Sequence, residues 1–287
     1  VGWFAGTFLA IRRAHVERAM KEAGIAREAT HDLASSMYRS LGSSVVEALW
    51  FAAHPDVPAS SVTTLDEWSR ARLDAAREDG RGAVIATAHA GNWEIAAAAL
   101  AEEGALTAVV KPMHVGWVER FCRESRGARG ITSLRAGVRE GEVMSAARAA
   151  LRRGETVAMM IDQVPDRARH ACEGEFLSRA VDIDRSPAVL AARVGVPLIV
   201  AVARRVGLSR QRLEVLAVLD PPRRGRMEWA VVATRTANSL LERWVHAHPS
   251  EWLWMHRRWR RVTSGAREPP RRLGPSPQPP AFPRQPP

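Results

Sequence analysis

His89 and Glu94, in the run Ala86-Thr87-Ala88-His89-Ala90-Gly91-Asn92-Trp93-Glu94, hold residue types suited to proton transfer at a spacing that crosses a turn. A histidine takes a proton from a hydroxyl only when its free nitrogen faces that hydroxyl, and a carboxylate on the other nitrogen fixes the tautomer. Glu94 is expected to be that carboxylate if the chain folds back as a helix begins. Gly91 would relieve crowding in the turn, and Asn92 could cap the helix. The alternative for the same residues is a histidine and a glutamate that only flank a helix start.

The flanking sequence says which elements must position them. Ala83-Val84-Ile85-Ala86 reads as a buried strand and the Ala-rich stretch from Ile95 to Leu100 as a helix, which leaves His89 at the C-terminal mouth of a sheet, where open α/β folds place their sites. Further strands are expected at Ala105 to Val110, Thr156 to Ile161 and Val196 to Ala203, with Arg212 to Leu219 as an edge strand. Helices are expected near 93–102, 114–124, 139–152, 186–194 and 228–247. This alternation predicts an α/β fold, a central mixed sheet flanked by helices. Residues 1–58 form an N-terminal helical annex in which Leu33, Met37, Leu41, Val45, Val46 and Leu49 recur at helical spacing. The α/β domain spans 59–264. The tail, 265–287, carries half of the chain's 18 prolines and has little to bury.

A chain of 287 residues can bury a full core. Its formal net charge of +11 is almost wholly arginine, since Lys21 and Lys111 are the only lysines. That charge suits anionic headgroups, phosphorylated substrates, an acidic carrier protein or nucleic acid, and does not choose among them. Cys122 and Cys172 are too few for a disulfide scaffold or a metal knuckle. No stretch approaches the length of an apolar membrane span. The opening run from Val1 to Ile11, followed by Arg12 and Arg13, suits either an interfacial segment or a first helix packed on the core.

His89-Ala90-Gly91-Asn92-Trp93-Glu94 resembles the histidine-four-residue-acid motif of the lipid A biosynthesis acyltransferase family, the lauroyl and myristoyl transferases and their mannoside-acylating relatives, within the lysophospholipid-acyltransferase-like superfamily. Three later blocks are similar to the same family in order and spacing: Ile161-Asp162-Gln163, the stretch from Phe176 to Ala191, and Glu251-Trp252-Leu253-Trp254-Met255-His256-Arg257-Arg258-Trp259. The resemblance covers about residues 35 to 260. It implies an acyltransferase-like fold and transfer of a fatty acyl group from a thioester to a glycolipid hydroxyl, with His89 as general base and Glu94 holding its ring.

The resemblance also implies roles for other residues. Arg126 is expected to bind substrate phosphate or steady negative charge, with Arg123 as its nearest rival. Asp162 would organise the site by pairing with Arg126 or by meeting the carbonyl, and Asn92, Gln163, Arg257 and Arg258 would contact substrate. Asp166 and Arg167 are weaker candidates.

The donor is expected to be an acyl carrier protein or coenzyme A thioester, with no tightly bound cofactor and no metal. The expected partners are a glycolipid acceptor and a membrane surface, at the cytoplasmic face of a bacterial inner membrane, peripherally or weakly anchored, and without nucleic acid. The sequence departs from the family where Asp182-Ile183-Asp184-Arg185-Ser186 replaces a threonine-rich stretch, and two carboxylates there offer too few ligands for a metal. The acceptor is therefore open between a lipid A precursor and another phosphoglycolipid such as a phosphatidylinositol mannoside. A catalytically idle lipid-binding protein of the same fold is the alternative from another class.

Overall fold

The computed structural model describes residues 12–25, 29–113, 115–137 and 140–260. The expectations for the apolar start, Val1 to Ile11, and for the tail from 265 lie outside those residues.

The chain enters through two helices, α1 (Arg13–Glu22) and α2 (Thr30–Ala53). A two-residue strand, β1 (Thr63–Thr64), precedes α3 (Glu67–Arg77), whose Asp66 side chain caps it by accepting from the Ser69 amide. Alternation follows: β2 (Ala83–Thr87), α4 (Trp93–Glu103), β3 (Leu106–Val110), α5 (Gly116–Ala128), β4 (Ile131–Arg135), α6 (Glu140–Arg152) and β5 (Thr156–Met160). A hairpin, β6 (Ala171–Phe176) and β7 (Arg179–Asp184), interrupts it. The fold finishes with α7 (Ser186–Val194), β8 (Leu198–Gly207), β9 (Arg210–Leu219) and α8 (Arg226–Ala247).

Seven strands form one sheet in the order β1-β9-β8-β2-β5-β3-β4. Every pairing is parallel except β8 with β9, so the sheet is mixed, as the sequence predicts. β2 and β5 are central and apolar on both faces because helices cover both. One core holds Val84, Ala86 and Val157 against α7 and α8, and the other holds Ile85, Ile95 and Leu106 against α4. β9 was expected at the edge, and β1 covers it through two residues. The strands β1, β4, β6 and β7 have no counterpart in the sequence reading.

The last described segment, 251–260, is irregular rather than a strand or helix, and makes a single bridge, Ala90 to Trp252. Trp252 and Trp254 are wholly buried in the first core. Truncating either to Ala would cost about 3–5 kcal/mol.

Candidate active site

β2 and β5 lie side by side in parallel with Thr87 opposite Met160, so the residues just past their C-terminal ends emerge together. His89 is two beyond one strand and Asp162 two beyond the other. The wholly buried Asp162 carboxylate takes two hydrogen bonds from His89, at Nδ1 (2.9 Å to Oδ1) and at the backbone amide (2.9 Å to Oδ2). The Trp252 indole donates to Oδ2 at 3.0 Å. Burial pushes the Asp162 carboxyl up, but the charge of His89 and the bonds it donates outweigh this and hold the group far below the usual carboxylate range. A carboxylate at Nδ1 keeps the proton there and leaves the Nε2 lone pair for a substrate.

The expected pairing of His89 with Glu94 is therefore corrected. Glu94 lies in the first turn of α4 and takes a two-pronged ion pair from Arg126 of α5, with Nε to Oε2 at 2.9 Å. Burial works against the Arg126 charge, yet the hydrogen bond and charge of Glu94 raise its pKa overall. The expected pairing of Asp162 with Arg126 gives way for the same reason. Five residues of separation across a strand-to-helix turn rotate Glu94 away from the ring, whereas adjacent parallel strands bring residues 73 positions apart to one point.

The turn is clamped from below. Gly91 has φ 54°, and a Cβ there would lie 2.7 Å from the Ala203 carbonyl oxygen, so both the conformation and the close approach select glycine. Asn92 caps α4 by accepting from the Ile95 amide at 3.3 Å. Its Nδ2 donates to Glu47 at 2.8 Å. It is 2 % exposed, so its position is that of a buried cap and not a substrate contact. Glu47 in turn receives both guanidinium prongs of Arg205, which also donates to Ser44. The Ser44 hydroxyl donates to the Gly91 carbonyl at 3.2 Å.

The C-terminal segment closes the other side: the Leu253 amide donates to the His89 carbonyl at 2.9 Å, and the Gly91 amide to the Glu251 carbonyl at 3.0 Å. This segment brings in His256, which the sequence reading quoted within a motif but did not select. Its ring centroid is 4.6 Å from that of His89 and its Nε2 is 3.4 Å from the Gln163 amide nitrogen. Burial lowers its pKa to about 4, so it is neutral at ordinary pH. Its signal in the sequence is a histidine between aromatic and basic residues, which carries no spacing to the turn at His89.

Arg258 is buried, donating to the carbonyls of Gln163 and Asp182 and to Asn238 at 2.7 Å. It ties the C-terminal segment to β7 and α8 and does not line the cavity described next. Arg257 is exposed and outside that cavity as well. The expectation that these two arginines contact substrate is not what the geometry shows. Asp184 accepts from the Ser186 amide at 2.8 Å at the start of α7.

A cavity of about 740 Å³ opens beside His89. Its floor is apolar, with Ile85, Leu100, Leu106, Ile131 and Ala158, and its rim carries His89, Glu94, Arg126, Gln163, His256 and Lys111. Residues of β2 to β5 and Leu100 of α4 supply the floor, and residues past the strand ends share the rim with Glu94 of α4 and Arg126 of α5. Lys111 also pairs with Asp166 at 2.8 Å, and Asp166 and Arg167 line the same rim. His89, Asp162 and His256 bring three ligand atoms within 4.8 Å of one another. Both Asp162 oxygens and His89 Nδ1 are, however, already engaged with each other and with Trp252, the bonding of a proton relay rather than of a cation's ligands.

A mixed α/β sheet flanked by helices, with a histidine at its C-terminal edge beside an apolar cavity, is an acyltransferase-like α/β architecture. The match to known families fixes the assignment further. The chain belongs to the bacterial lipid A biosynthesis acyltransferase family, whose pattern matches residues 1–261. No curated relative matches it. Family membership makes it an acyltransferase acting on a lipid substrate, with a glycolipid acceptor and an acyl donor as its partners. Among the described residues no helix is long and apolar enough to cross a membrane.

Proposed function

We propose that the protein transfers a fatty acyl group from an acyl carrier protein or coenzyme A thioester to a hydroxyl of a lipid A precursor or related glycolipid, working peripherally at the cytoplasmic face of the inner membrane. The observation that carries this reading is the His89–Asp162 pair, set at the rim of a cavity with an apolar floor. His89 Nε2 takes the proton of the acceptor hydroxyl as its oxygen attacks the thioester carbonyl carbon. The tetrahedral intermediate collapses, the carbon–sulfur bond breaks, and the thiolate leaves with the proton that His89 returns. Asp162 keeps the imidazole in the productive tautomer and steadies the imidazolium. Arg126, held rigid by Glu94, supplies a fixed positive charge at the rim for the oxyanion or for an acceptor phosphate. The apolar floor takes the acyl chain.

The test is to incubate purified protein with acyl carrier protein and coenzyme A thioesters and total membrane lipids, beside His89→Ala. Acyl transfer, or slow thioester hydrolysis, that vanishes in the variant is expected. Saturable lipid binding without turnover in the wild type would replace the enzyme with a lipid-binding protein.

A further inference from the structure

The second half of α2 turns polar groups inward and a run of apolar ones outward. Ser44 and Glu47 face inward and are buried, Glu47 at 7 % exposure, while Val45, Val46, Leu49 and Trp50 are exposed at 42, 50, 52 and 47 %. These four sit at i, i+1, i+4 and i+5, one stripe along the helix. A helix that only packed on the core would turn this stripe inward. Here Phe51 packs into the second core, and the rest of the inward side is committed to Arg205, Asn92 and Gly91.

We propose that the Val45–Trp50 stripe is a membrane-docking face that rests on an anionic lipid surface and carries the catalytic turn on its underside. The proposal rests on the acyl-transfer reading for the purpose of docking, since the acceptor is a lipid. Three observations favour lipid as the occupant. Trp50 and the aliphatics offer the amphipathic ring and apolar bulk that settle among headgroups. Met113, Val115 and Trp117, the last 75 % exposed, present a second apolar group at the entry to α5, and Met113 lines the cavity itself. Arg39, earlier on α2, and Arg120 and Arg123 on α5 are exposed. With a net charge of +11, the chain is attracted to anionic headgroups and repelled by a second copy of itself.

The Ser44 hydroxyl touches the Gly91 carbonyl, so the lipid contact lies about one helix diameter, roughly 10 Å, from the turn that holds His89. A glycolipid hydroxyl need rise from the surface by little more than its own headgroup to meet the base.

The experiment is co-sedimentation of the full chain with phosphatidylcholine vesicles and with phosphatidylcholine vesicles containing phosphatidylglycerol, comparing wild type with Leu49→Ser/Trp50→Ser. Removing two interfacial side chains is expected to weaken binding to the anionic vesicles about ten-fold or more. Melting temperature and His89-dependent hydrolysis of a soluble acyl-coenzyme A should stay unchanged. If the double variant melts lower, Val46→Gln, confined to the same outer stripe, is read in its place. Binding that ignores these substitutions would overturn the docking face, and so would a wild-type dimer in sedimentation that they dissolve. Vesicle binding that depends on Leu49 and Trp50 without any turnover would leave docking standing and remove the acyl-transfer reading; turnover with insensitive binding would do the reverse.

Discussion

The partner of His89 is Asp162, and this separates two carboxylates that the sequence makes look equivalent. Asp162→Asn keeps the shape of the side chain but removes the charge that holds Nδ1 protonated, and kcat is expected to fall about 10³-fold or more with a changed pH–rate profile. Glu94→Gln loosens Arg126 instead, so kcat/KM is expected to fall while the shape of the pH profile stays. Steady-state kinetics of both variants across pH check this, and a profile that moves with Glu94 and not with Asp162 would return Glu94 to the ring. His256 makes a second test. Its pKa is lowered by burial from 6.5 to about 4, so between those values the unfolded chain binds a proton that the folded chain refuses. Stability is then full above pH 6.5 and is lost as pH falls toward 4, by an order-of-magnitude 3 kcal/mol. Denaturant titrations of wild type and His256→Gln should converge in stability difference across that window.

At the scale of elements, the strand-to-helix turn is held from several sides: α2 below, β8 behind through Arg205, β9 through Gln211, Asp162 past β5, and the 251–253 stretch above. Glu47→Ala leaves the Arg205 charge half-buried without its main partner and strips a bond from Asn92, and it should destabilise the protein by about 3–5 kcal/mol, measured by chemical denaturation. A loss below about 1 kcal/mol would mean that water replaces the ion pair. The central elements were legible in the sequence because their signals are local. Ala83 to Ala86 is a continuous apolar run, Asn92 is a cap at a helix start, and the 93–102 and 139–152 segments carry helical composition. β4 escaped because Thr132 and Ser133 dilute its pattern, and the β6–β7 hairpin because Glu173, Glu175 and Asp182 read as loop. In the site, His89, Arg126 and Gln163 line one cavity with the buried Asp162 behind His89, while their pairing was not readable in the sequence. Which carboxylate meets which cation depends on strand order, and strand order is not written at any one position. The burial of Arg258 is likewise a property of three-dimensional packing, invisible in a run of basic residues.

For the molecule as a whole, the ends of the described chain meet at the site. Arg12 donates to the Met255 carbonyl at 2.9 Å, and His15 lies 3.3 Å from the His256 carbonyl oxygen, so α1 and the final segment brace the same wall. The chemistry itself hangs on one ladder, the pairing of β2 with β5, in which Thr87 opposes Met160 and the base and its carboxylate stand two steps beyond. The chain between those strands, residues 93–152, supplies Leu100, Leu106, Arg126, Ile131 and Met144 to the cavity wall. Apart from Glu94 and Arg126, the interval can be lengthened in its loops or refilled with larger side chains while the His89–Asp162 pair keeps its place on the β2–β5 ladder. The architecture thus lets selection retune what the enzyme accepts while inheriting how it reacts.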